Sequence, residues 1–374
     1  PPKMRLTKRY FAAESQFILI ISHLLTGITF AMESERVLQR TARNVPNVLT
    51  KVGPTDPKYF YGSDNGPPLW PTLYPQYCAG TAQSPINIDT KTARLSDEPV
   101  FTYHQFNEIA KKVTLTNSGN TAEMTFEFNS ALSPLVTNGG LPGVYKVMQV
   151  HYHWGPDTAS GSDHTVNSIS YPLEMHLVTA NVKYKDLTEA VNQKDGIAVL
   201  GFLFKVSPNP AIGPGAKKVY DALDQIKATG TATDLNFSLN DFFTDLTRTT
   251  NTGFYRYRGS LTIPNCQENV IWSVFKELQE VPEYVMPKFR SLIGLHKQPI
   301  ISNFRPPLPL NGREVLEIRS KTPVEVIIKL FFDALTTLFS KLFIFTPVTF
   351  NGKTFSTLTS ISMAVMKTIN LIGK

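Results

Sequence analysis

The sequence predicts an α+β protein that is mostly β. Between about residues 58 and 320, short runs of alternating or continuous apolar residues recur, and only two stretches there have a helical pattern. The 27 prolines among 374 residues disfavour long uninterrupted helices and suit a sheet protein with many irregular connections. Hydrophobic residues make up 42% of the chain and aromatic residues 11%, which is enough for a sizeable core.

The first 32 residues are predicted to be a secretory signal peptide. Basic side chains between Lys3 and Arg9 precede an apolar run that starts at Phe17 and reaches about Phe30. A membrane anchor that is not cleaved is the alternative, but the run is short for a span and contains His23. Residues 33–57 are polar with little apolar periodicity, so we expect a linker or a short propeptide.

The clearest short-range pattern is a β-hairpin. Residues 113–116 and 123–128 alternate between apolar and polar side chains. The turn-like sequence Asn117-Ser118-Gly119 lies between them. We therefore expect these two strands to pair in an antiparallel manner.

Three longer strands and two helices follow. Residues 144–154 and 173–184 are predicted as long strands, and residues 197–206 are nearly all apolar, as in a strand buried on both faces. The helix candidates are residues 216–227 and 281–293.

Residues 321–374 are predicted to be an amphipathic, hydrophobic extension. Polar residues recur there every three or four positions between Val, Ile, Leu and Phe. Lys329, Asp333 and Lys341 interrupt the pattern too often for a comfortable membrane span. A peripheral membrane helix and a helix that packs on another subunit both fit residues 321–350.

The net charge of +7 lies at the two ends of the chain. Four basic side chains and Glu14 fall within residues 1–32, and six lysines with two acidic residues fall within residues 321–374. The stretch from 33 to 320 is therefore neutral overall. This distribution argues against nucleic-acid binding, which needs a broad basic surface.

The most informative motif is Gln149-Val150-His151-Tyr152-His153-Trp154. Side chains alternate between the two faces of a strand, so His151 and His153 share one face, and His176 follows on the next predicted strand. Three neutral imidazoles leave the fourth tetrahedral position of a zinc ion open, which is typical of catalytic sites. A bare His-x-His pair also arises by chance, so its neighbours matter.

Two of those neighbours strengthen the prediction of a zinc site. Gln149 shares the strand face of His151 and His153, and Glu174 shares that of His176. An amide and a carboxylate placed in this way are natural acceptors for the imidazole N–H groups that do not bind metal.

From about residue 59 to 318 the sequence resembles the α-class carbonic anhydrases, and the resembling domain is taken as residues 58–320. The markers that carry the resemblance occur in the family's order: Tyr61-Gly62-Ser63-Asp64-Asn65-Gly66-Pro67, Gln83-Ser84-Pro85-Ile86-Asn87-Ile88, the histidine strands, Ala198-Val199-Leu200-Gly201, Gly259-Ser260-Leu261-Thr262-Ile263-Pro264 and Asn303-Phe304-Arg305-Pro306.

The resemblance implies a fold and a reaction. We expect one large, twisted, predominantly antiparallel central sheet with short peripheral helices and Zn²⁺ at the base of a conical cavity. The implied ligands are His151, His153 and His176, with Asn303 joining Gln149 and Glu174 in the shell behind them. The implied reaction is the reversible hydration of carbon dioxide to bicarbonate and a proton by zinc-bound hydroxide.

The resemblance also implies roles for residues near the metal. Thr262 stands where the family's threonine accepts from the zinc-bound hydroxide and donates to a buried carboxylate. That carboxylate is usually a glutamate, and here Asp163 stands in its place with one methylene less. We expect reduced but present activity, and we expect His164 to be a buried structural histidine rather than a fourth ligand.

The position of the family's proton-shuttling histidine is occupied by Asn120. An amide does not titrate near neutral pH, so protons must leave through buffer, a water chain past Tyr61 or another group. We expect moderate turnover with strong buffer dependence. The rim of the expected cavity also differs from that of many family members, at Ser118, Glu123 and Ile263.

The resemblance places an apolar wall beside the metal for a linear substrate. Its implied residues, which touch the substrate together with Thr262 and Ile263, are Val178, Ile197, Val199, Leu261 and Trp272. The same residue types also fill ordinary sheet cores, so this wall is a supporting observation.

Two cysteines and one sequon are consistent with an extracellular protein. Cys78 and Cys266 are an even pair in a chain predicted to be secreted, and extracellular members of the family carry a disulfide at such positions. Two independent buried thiols are the alternative. Asn236-Phe237-Ser238 is the one N-glycosylation sequon.

Two other functions are weighed against the enzyme. A catalytically weak, zinc-containing extracellular matrix or binding protein could use the same scaffold, but inactive relatives commonly lose a histidine ligand and this chain keeps all three. A zinc hydrolase of unrelated fold is disfavoured because the sequence lacks His-Glu-x-x-His and a nucleophile-elbow motif.

Overall fold

The computed structural model describes residues 60–128, 133–321, 348–350 and 353–355. The predicted signal peptide (1–32), the linker or propeptide (33–57) and nearly all of the C-terminal extension, including its proposed amphipathic helix, lie outside the described residues. The chain divides into two units, residues 1–322 and 323–374. The described part of the second unit is a two-stranded antiparallel hairpin.

Strands are the main regular elements of the described residues. In chain order the strands are β1 (Asn87–Ile88), β2 (Arg94–Pro99), β3 (Phe101–His104), β4 (Lys112–Asn117), β5 (Ala122–Glu127), β6 (Leu135–Asn138), β7 (Tyr145–Trp154), β8 (Thr165–Val166), β9 (Leu173–Asn181), β10 (Ile197–Ser207), β11 (Ala232–Leu235), β12 (Phe254–Gly259), β13 (Val270–Phe275), β14 (Gln279–Pro282), β15 (Leu316–Lys321), β16 (Val348–Phe350) and β17 (Lys353–Phe355).

The helices of the described residues are short and peripheral. The α-helices span Trp70–Leu73, Pro75–Cys78, Leu187–Ala190, Pro214–Ala222, Leu239–Phe242, Leu246–Asn251 and Val285–Arg290, and single 3₁₀ turns span Pro67–Leu69 and Leu223–Ile226. Among the described residues, none of the helices is long and apolar enough to span a membrane.

A 13-stranded mixed sheet forms the body of the molecule, and its main path runs β11-β4-β5-β7-β9-β10-β13-β12-β15-β2. Most neighbouring strands are antiparallel, while β10 pairs in parallel with β13 and β14, and β15 pairs in parallel with β2. A separate parallel pair joins β1 to β8. The predicted fold class, a mostly β protein with one large and mostly antiparallel sheet, is confirmed.

The centre of the sheet is buried on both faces. Every residue of β9 and the first eight of β10 are buried, as the continuous apolar run predicted. A large cluster of aromatic and aliphatic side chains packs on one face, and a second cluster that includes Val178, Val199 and Trp272 packs on the other. The second face also carries the histidines.

The structure differs from the predicted elements in three places. The helix predicted at 216–227 is an α-helix over Pro214–Ala222 that is followed by a 3₁₀ turn over Leu223–Ile226. Strand β9 ends at Asn181, three residues before the predicted end. The helix predicted at 281–293 is shorter, Val285–Arg290, because Gln279–Pro282 forms β14 alongside β10 with Val281 fully buried. Burial of Val281 in the sheet outweighs the weak helical periodicity there. The hairpin of β4 and β5 is confirmed.

Candidate metal centre

Strand register brings the three histidines together. His151 and His153 lie two residues apart on β7, and His176 lies directly opposite His151 on β9. Residues paired across neighbouring strands point to the same face, so all three rings project from one side of the sheet. The ring centroids lie 5.0, 5.0 and 4.5 Å apart, and one ligand atom from each ring falls within 4.8 Å of the other two.

Each ring has one nitrogen held by an oxygen acceptor behind it. His151 Nδ1 lies 2.8 Å from Gln149 Oε1, His153 Nδ1 lies 2.9 Å from the Asn303 carbonyl oxygen, and His176 Nε2 lies 2.7 Å from Glu174 Oε1. These oxygens only accept hydrogen bonds, so each bonded ring nitrogen must be the donor. In a neutral imidazole the other nitrogen then carries a bare lone pair.

The three bare nitrogens suit a divalent metal ion. His151 Nε2 and His176 Nδ1 face each other at 3.2 Å, and His153 Nε2 is buried without a hydrogen-bond partner. Facing lone pairs repel each other, and a buried acceptor without a partner is costly, unless a cation lies between them. Three neutral imidazole ligands with hydrogen-bonded outer nitrogens match a zinc site that has one open position.

The surroundings also keep the rings neutral. Burial, followed by the proximity of His176 and His153, lowers the pKa of His151 well below 6.5. Burial lowers the pKa of His176 too, although Glu174 opposes that effect. Metal binding needs the neutral imidazole, so the site requires no deprotonation at neutral pH.

Glu174 organises the groups behind the metal position. Its Oε1 accepts from His176 Nε2 and His164 Nδ1, both at 2.7 Å, and its Oε2 accepts from the His164 backbone N–H at 2.8 Å. Burial alone would raise the pKa of this carboxyl, but its two histidine partners hold the pKa well below its usual range. Gly201 faces the carboxylate from β10, where a Cβ atom would come within 3.2 Å of Oε1.

His164 belongs to this network rather than to the histidine triad. It is fully buried, and its Nε2 lies 2.6 Å from the Tyr257 hydroxyl, which donates to the Ser84 hydroxyl at 2.8 Å. Both ring nitrogens are thus engaged by side chains of the protein. A second group of side chains, His164, Glu174 and His176, is also close enough together to hold a metal ion, but it includes His176, which belongs to the triad as well.

Asp163 is buried close to the site but does not bond to Thr262. Its Oδ1 accepts from the Arg305 backbone N–H at 2.7 Å and lies 3.5 Å from His153 Nδ1, while its Oδ2 is buried without a hydrogen-bond partner. The direct hydrogen bond that the family's threonine donates to the carboxylate at this position is therefore missing here. An aspartate side chain is one methylene shorter than glutamate, which accounts for the shorter reach.

An apolar cavity of about 210 Å³ opens beside His151 and His176. The five predicted wall residues, Val178, Ile197, Val199, Leu261 and Trp272, all line it, together with Thr262 and Ile263. Strand pairing explains their position, because Val178 faces Val199 and Val199 faces Trp272 across adjacent strands. Leu187 and Val191 also line the cavity, and no sequence pattern singled them out.

Tyr61 and Asn120 lie together in a second cavity, of about 370 Å³. The Asn303 side-chain amide donates to the Asn120 backbone oxygen at 2.9 Å, and the Asn303 carbonyl oxygen accepts from His153. One residue thus links this second cavity to the histidine triad.

Arg305 and Tyr257 support the site, although the sequence patterns predicted no role for either residue. Arg305 is 1% exposed, and its guanidinium donates to Gln83 Oε1 and the Ser84 carbonyl oxygen, while burial lowers its pKa to about 10. Both Arg305 and Ser84 lie within motifs that carried the resemblance. The indication in the sequence that Arg305 has a role was therefore its position in such a motif. Its burial could not be inferred from one sequence.

Cys78 and Cys266 form a disulfide that closes a separation of 188 residues. Both cysteines are buried against Trp70, and Cys266 lies four residues after Thr262. Asn236 of the sequon is exposed directly after β11. The Ser238 hydroxyl of the same sequon accepts from the Asp241 N–H at the start of the Leu239–Phe242 helix.

Comparison with known proteins gives one consistent result. The family model described as eukaryotic-type carbonic anhydrase matches residues 65–319. Carbonic anhydrase 3 of Homo sapiens is 35% identical over 264 residues, which cover 69% of this chain and 97% of that protein. Carbonic anhydrase 1 of Mus musculus is 36% identical over 261 residues, with 68% and 96% covered. Carbonic anhydrase 7 of Mus musculus is 35% identical over 263 residues, with 68% and 95% covered.

Proposed function

Because this chain belongs to the eukaryotic-type carbonic anhydrase family, we propose that it catalyses the zinc-dependent, reversible hydration of carbon dioxide to bicarbonate and a proton. The observation that carries the proposal is the set of three bare ring nitrogens, each fixed by an oxygen on the far side of its ring. An apolar cavity adjoins them.

His151, His153 and His176 would hold the zinc ion through Nε2, Nε2 and Nδ1. When bound there, zinc would lower the pKa of a coordinated water molecule from about 15.7 to near 7 and so supply a nucleophile at neutral pH. Gln149, the Asn303 backbone and Glu174 keep the rings oriented, which limits the reorganisation needed for metal binding.

The apolar wall would bind carbon dioxide. The molecule is small, linear and without net charge, so a pocket lined by Val178, Val199 and Trp272 can hold it without a charged partner. Bicarbonate, in contrast, gains nothing from this wall. The wall therefore favours release of the product, and the reverse reaction uses the same surfaces.

Thr262 would orient the reacting oxygen through its hydroxyl, which lies in the cavity wall beside the triad. Asp163 supports this arrangement less directly than a glutamate would, because its free oxygen, Oδ2, has no hydrogen-bond partner. A water molecule between Asp163 and Thr262 would restore the connection. We therefore propose reduced but measurable turnover.

Proton release would limit the rate further. Asn120 cannot take up a proton at neutral pH, so protons would leave through buffer, through water passing Tyr61 or through another group. This supports moderate turnover with marked dependence on buffer concentration.

We also propose that the protein is extracellular. The disulfide supports this, because such bonds persist in oxidising compartments and are rare in the cytosol. The predicted signal peptide at 1–32 and the exposed Asn236 as a glycosylation site are parts of the same proposal. The extension from 321 would mediate peripheral contact with a membrane or another subunit.

The test is a stopped-flow assay of carbon dioxide hydration on the purified protein. We expect activity that a zinc chelator abolishes and added zinc restores, and that the His151→Ala variant lacks. A protein that binds zinc but does not accelerate hydration would contradict the proposal and would favour a binding role on the same scaffold.

A further inference from the structure

We propose that His296 carries the proton out of the active-site mouth, in the role that Asn120 cannot fill. The inference rests on the proposed function, because hydration of carbon dioxide releases one proton for each bicarbonate formed. That proton must reach solvent before the next cycle. His296 is outside every motif that carried the family resemblance.

His296 and Asn120 line the same cavity. The lining residues of this second cavity, of about 370 Å³, are Phe60, Tyr61, Gly62, Gly119, Asn120, Gly294, Leu295, His296, Gln298, Pro299, Ile300, Ile301 and Ser302. Two of these side chains can titrate, those of Tyr61 and His296. A phenol ordinarily loses its proton near pH 10, whereas an imidazole exchanges protons near neutral pH. His296 is therefore the suitable acceptor within this lining set.

The backbone fixes His296 close to the Asn120 turn. The Leu295 N–H donates to the Gly119 carbonyl oxygen at 3.2 Å, so the residue before His296 is bonded to the residue before Asn120. Within the loop, the Lys297 N–H donates to the Gly294 oxygen and the Gly294 N–H donates to the Gln298 oxygen. These bonds hold the loop in a defined position over the cavity.

The side chain is placed for transfer to solvent. His296 is exposed, and its ring packs against Phe60 with centroids 3.5 Å apart. Contact with Phe60 on one side and solvent on the other allows the imidazole to exchange its proton with buffer. Towards the triad, the Asn120 backbone is bonded to Asn303, which is bonded to His153. The lining of this cavity is thus connected through Asn303 to the histidine triad, and His296 lies on its solvent-exposed side.

The transfer has two steps. In the first, a water molecule in the cavity takes up the proton released by hydration while one of its own O–H bonds breaks. The proton from that bond forms an N–H bond on the His296 ring, which becomes an imidazolium, and the water molecule is restored. In the second, that N–H bond breaks and the proton passes to a buffer base in solution. No electrons are transferred and no co-reactant besides the buffer is needed.

The first arm of the test is structural and does not depend on catalysis. Histidine ring ¹⁵N spectra of the full-length protein, with and without zinc, are recorded from pH 5 to 9, and His296 is assigned from its loss in His296→Gln. We expect the Asn120 side-chain amide signal to shift with the same pH dependence as the His296 ring signals. A His296 ring that does not titrate, or an Asn120 signal that is insensitive to it, contradicts the proposal.

The second arm separates proton transfer from hydration. In weak buffer, we expect kcat of His296→Gln to fall about 10-fold, less than the roughly 100-fold typical of losing a positioned proton-transfer group, because buffer replaces part of the flux. We expect kcat/KM to be unchanged and added imidazole to restore kcat. The matched control, Lys297→Gln, removes a charge from the same loop and is expected to keep wild-type values.

The outcomes distinguish the two proposals. An active enzyme whose kcat is unaffected by His296→Gln contradicts the role of His296 alone. A fall in kcat/KM by the same factor as kcat would also contradict it, since proton transfer follows the hydration step. A wild-type protein without hydration activity would contradict the proposed function and this role with it.

Discussion

Three unprotonated ring nitrogens converge in this protein because each imidazole donates its other N–H to a fixed oxygen. The amide of Gln149, the carboxylate of Glu174 and the backbone of Asn303 provide those oxygens. At the scale of single residues, the oxygen atoms that accept hydrogen bonds from the rings therefore define the site as much as the three histidines do. The other residue that matters here is Asp163, whose Oδ1 is engaged by Arg305 and whose Oδ2 is not engaged.

Replacing Asp163 with glutamate is expected to raise kcat of carbon dioxide hydration. The added methylene would bring a carboxylate oxygen within reach of the Thr262 hydroxyl, and a hydrogen bond to a charged group contributes about 1.5–3 kcal/mol. One such bond, formed fully in the transition state, corresponds to a rise of about 10-fold or more. Stopped-flow kinetics at constant zinc content check this, with Asp163→Asn as the matched variant that lacks the charge. No rise in Asp163→Glu would contradict the role assigned to the short side chain.

The stability of the zinc-free protein is expected to fall as the pH drops below about 6.5. The pKa values of His151 and His176 are lowered in the folded state, mainly by burial, so between those values and about 6.5 the unfolded chain binds more protons. Each such histidine costs up to about 1.4 kcal/mol per pH unit in that window. Urea unfolding at pH 7, 6 and 5 measures this loss, and His151→Gln should show a shallower slope than wild type. Equal slopes in the two proteins would contradict it.

At the scale of elements, the face of the strand on which each residue lies was predictable, and loop placement was not. Alternation on β7 placed Gln149, His151 and His153 on one face from sequence alone, and the structure shows His176 opposite His151. A period of two residues is a strong constraint once one face is buried. Leu187, Arg305 and His296 approach the site from segments distant in sequence, and their approach depends on packing that no local period encodes. The helix predicted at 281–293 was too long, because its first residues belong to β14, which is stabilised by pairing with β10.

The disulfide is expected to be the main covalent support of the segment that carries Thr262. It joins the Pro75–Cys78 helix to the loop after β12 across 188 residues. Replacing both cysteines, Cys78→Ser with Cys266→Ser, should lower the free energy of unfolding by about 2–5 kcal/mol, as native disulfides typically do. Guanidinium unfolding measures the loss, and elemental analysis of zinc content controls for damage to the metal site. A loss below about 1 kcal/mol would show that packing around Trp70 alone holds this region.

At the scale of the whole molecule, the sheet serves as a rigid platform for a metal centre. β7, β9, β10 and β13 are consecutive neighbours, and their residues contribute the three candidate ligands, the acceptor carboxylate and most of the apolar wall. Residues held on paired strands keep their separations better than residues on loops, which suits a site that needs ligands in a fixed geometry. The class of fold and the grouping of the three histidines were predictable because they follow from period and residue type. The missing hydrogen bond between Asp163 and Thr262 depends on a difference of one methylene in side-chain length between aspartate and glutamate. The sequence shows the shorter side chain, but only the structure shows that the hydrogen bond is not formed.

The most direct test of the central claim is the zinc content of the purified, dialysed protein, determined by elemental analysis. We expect about one zinc ion per chain in wild type, because three neutral imidazoles with fixed outer partners match a zinc site. His153→Ala should lose the ion, because it leaves two histidine ligands, whereas His104→Gln, a histidine on β3 that is bonded to Thr137, should keep it. Wild-type protein without zinc, or full zinc content in His153→Ala, would contradict the claim that these three rings form the metal centre.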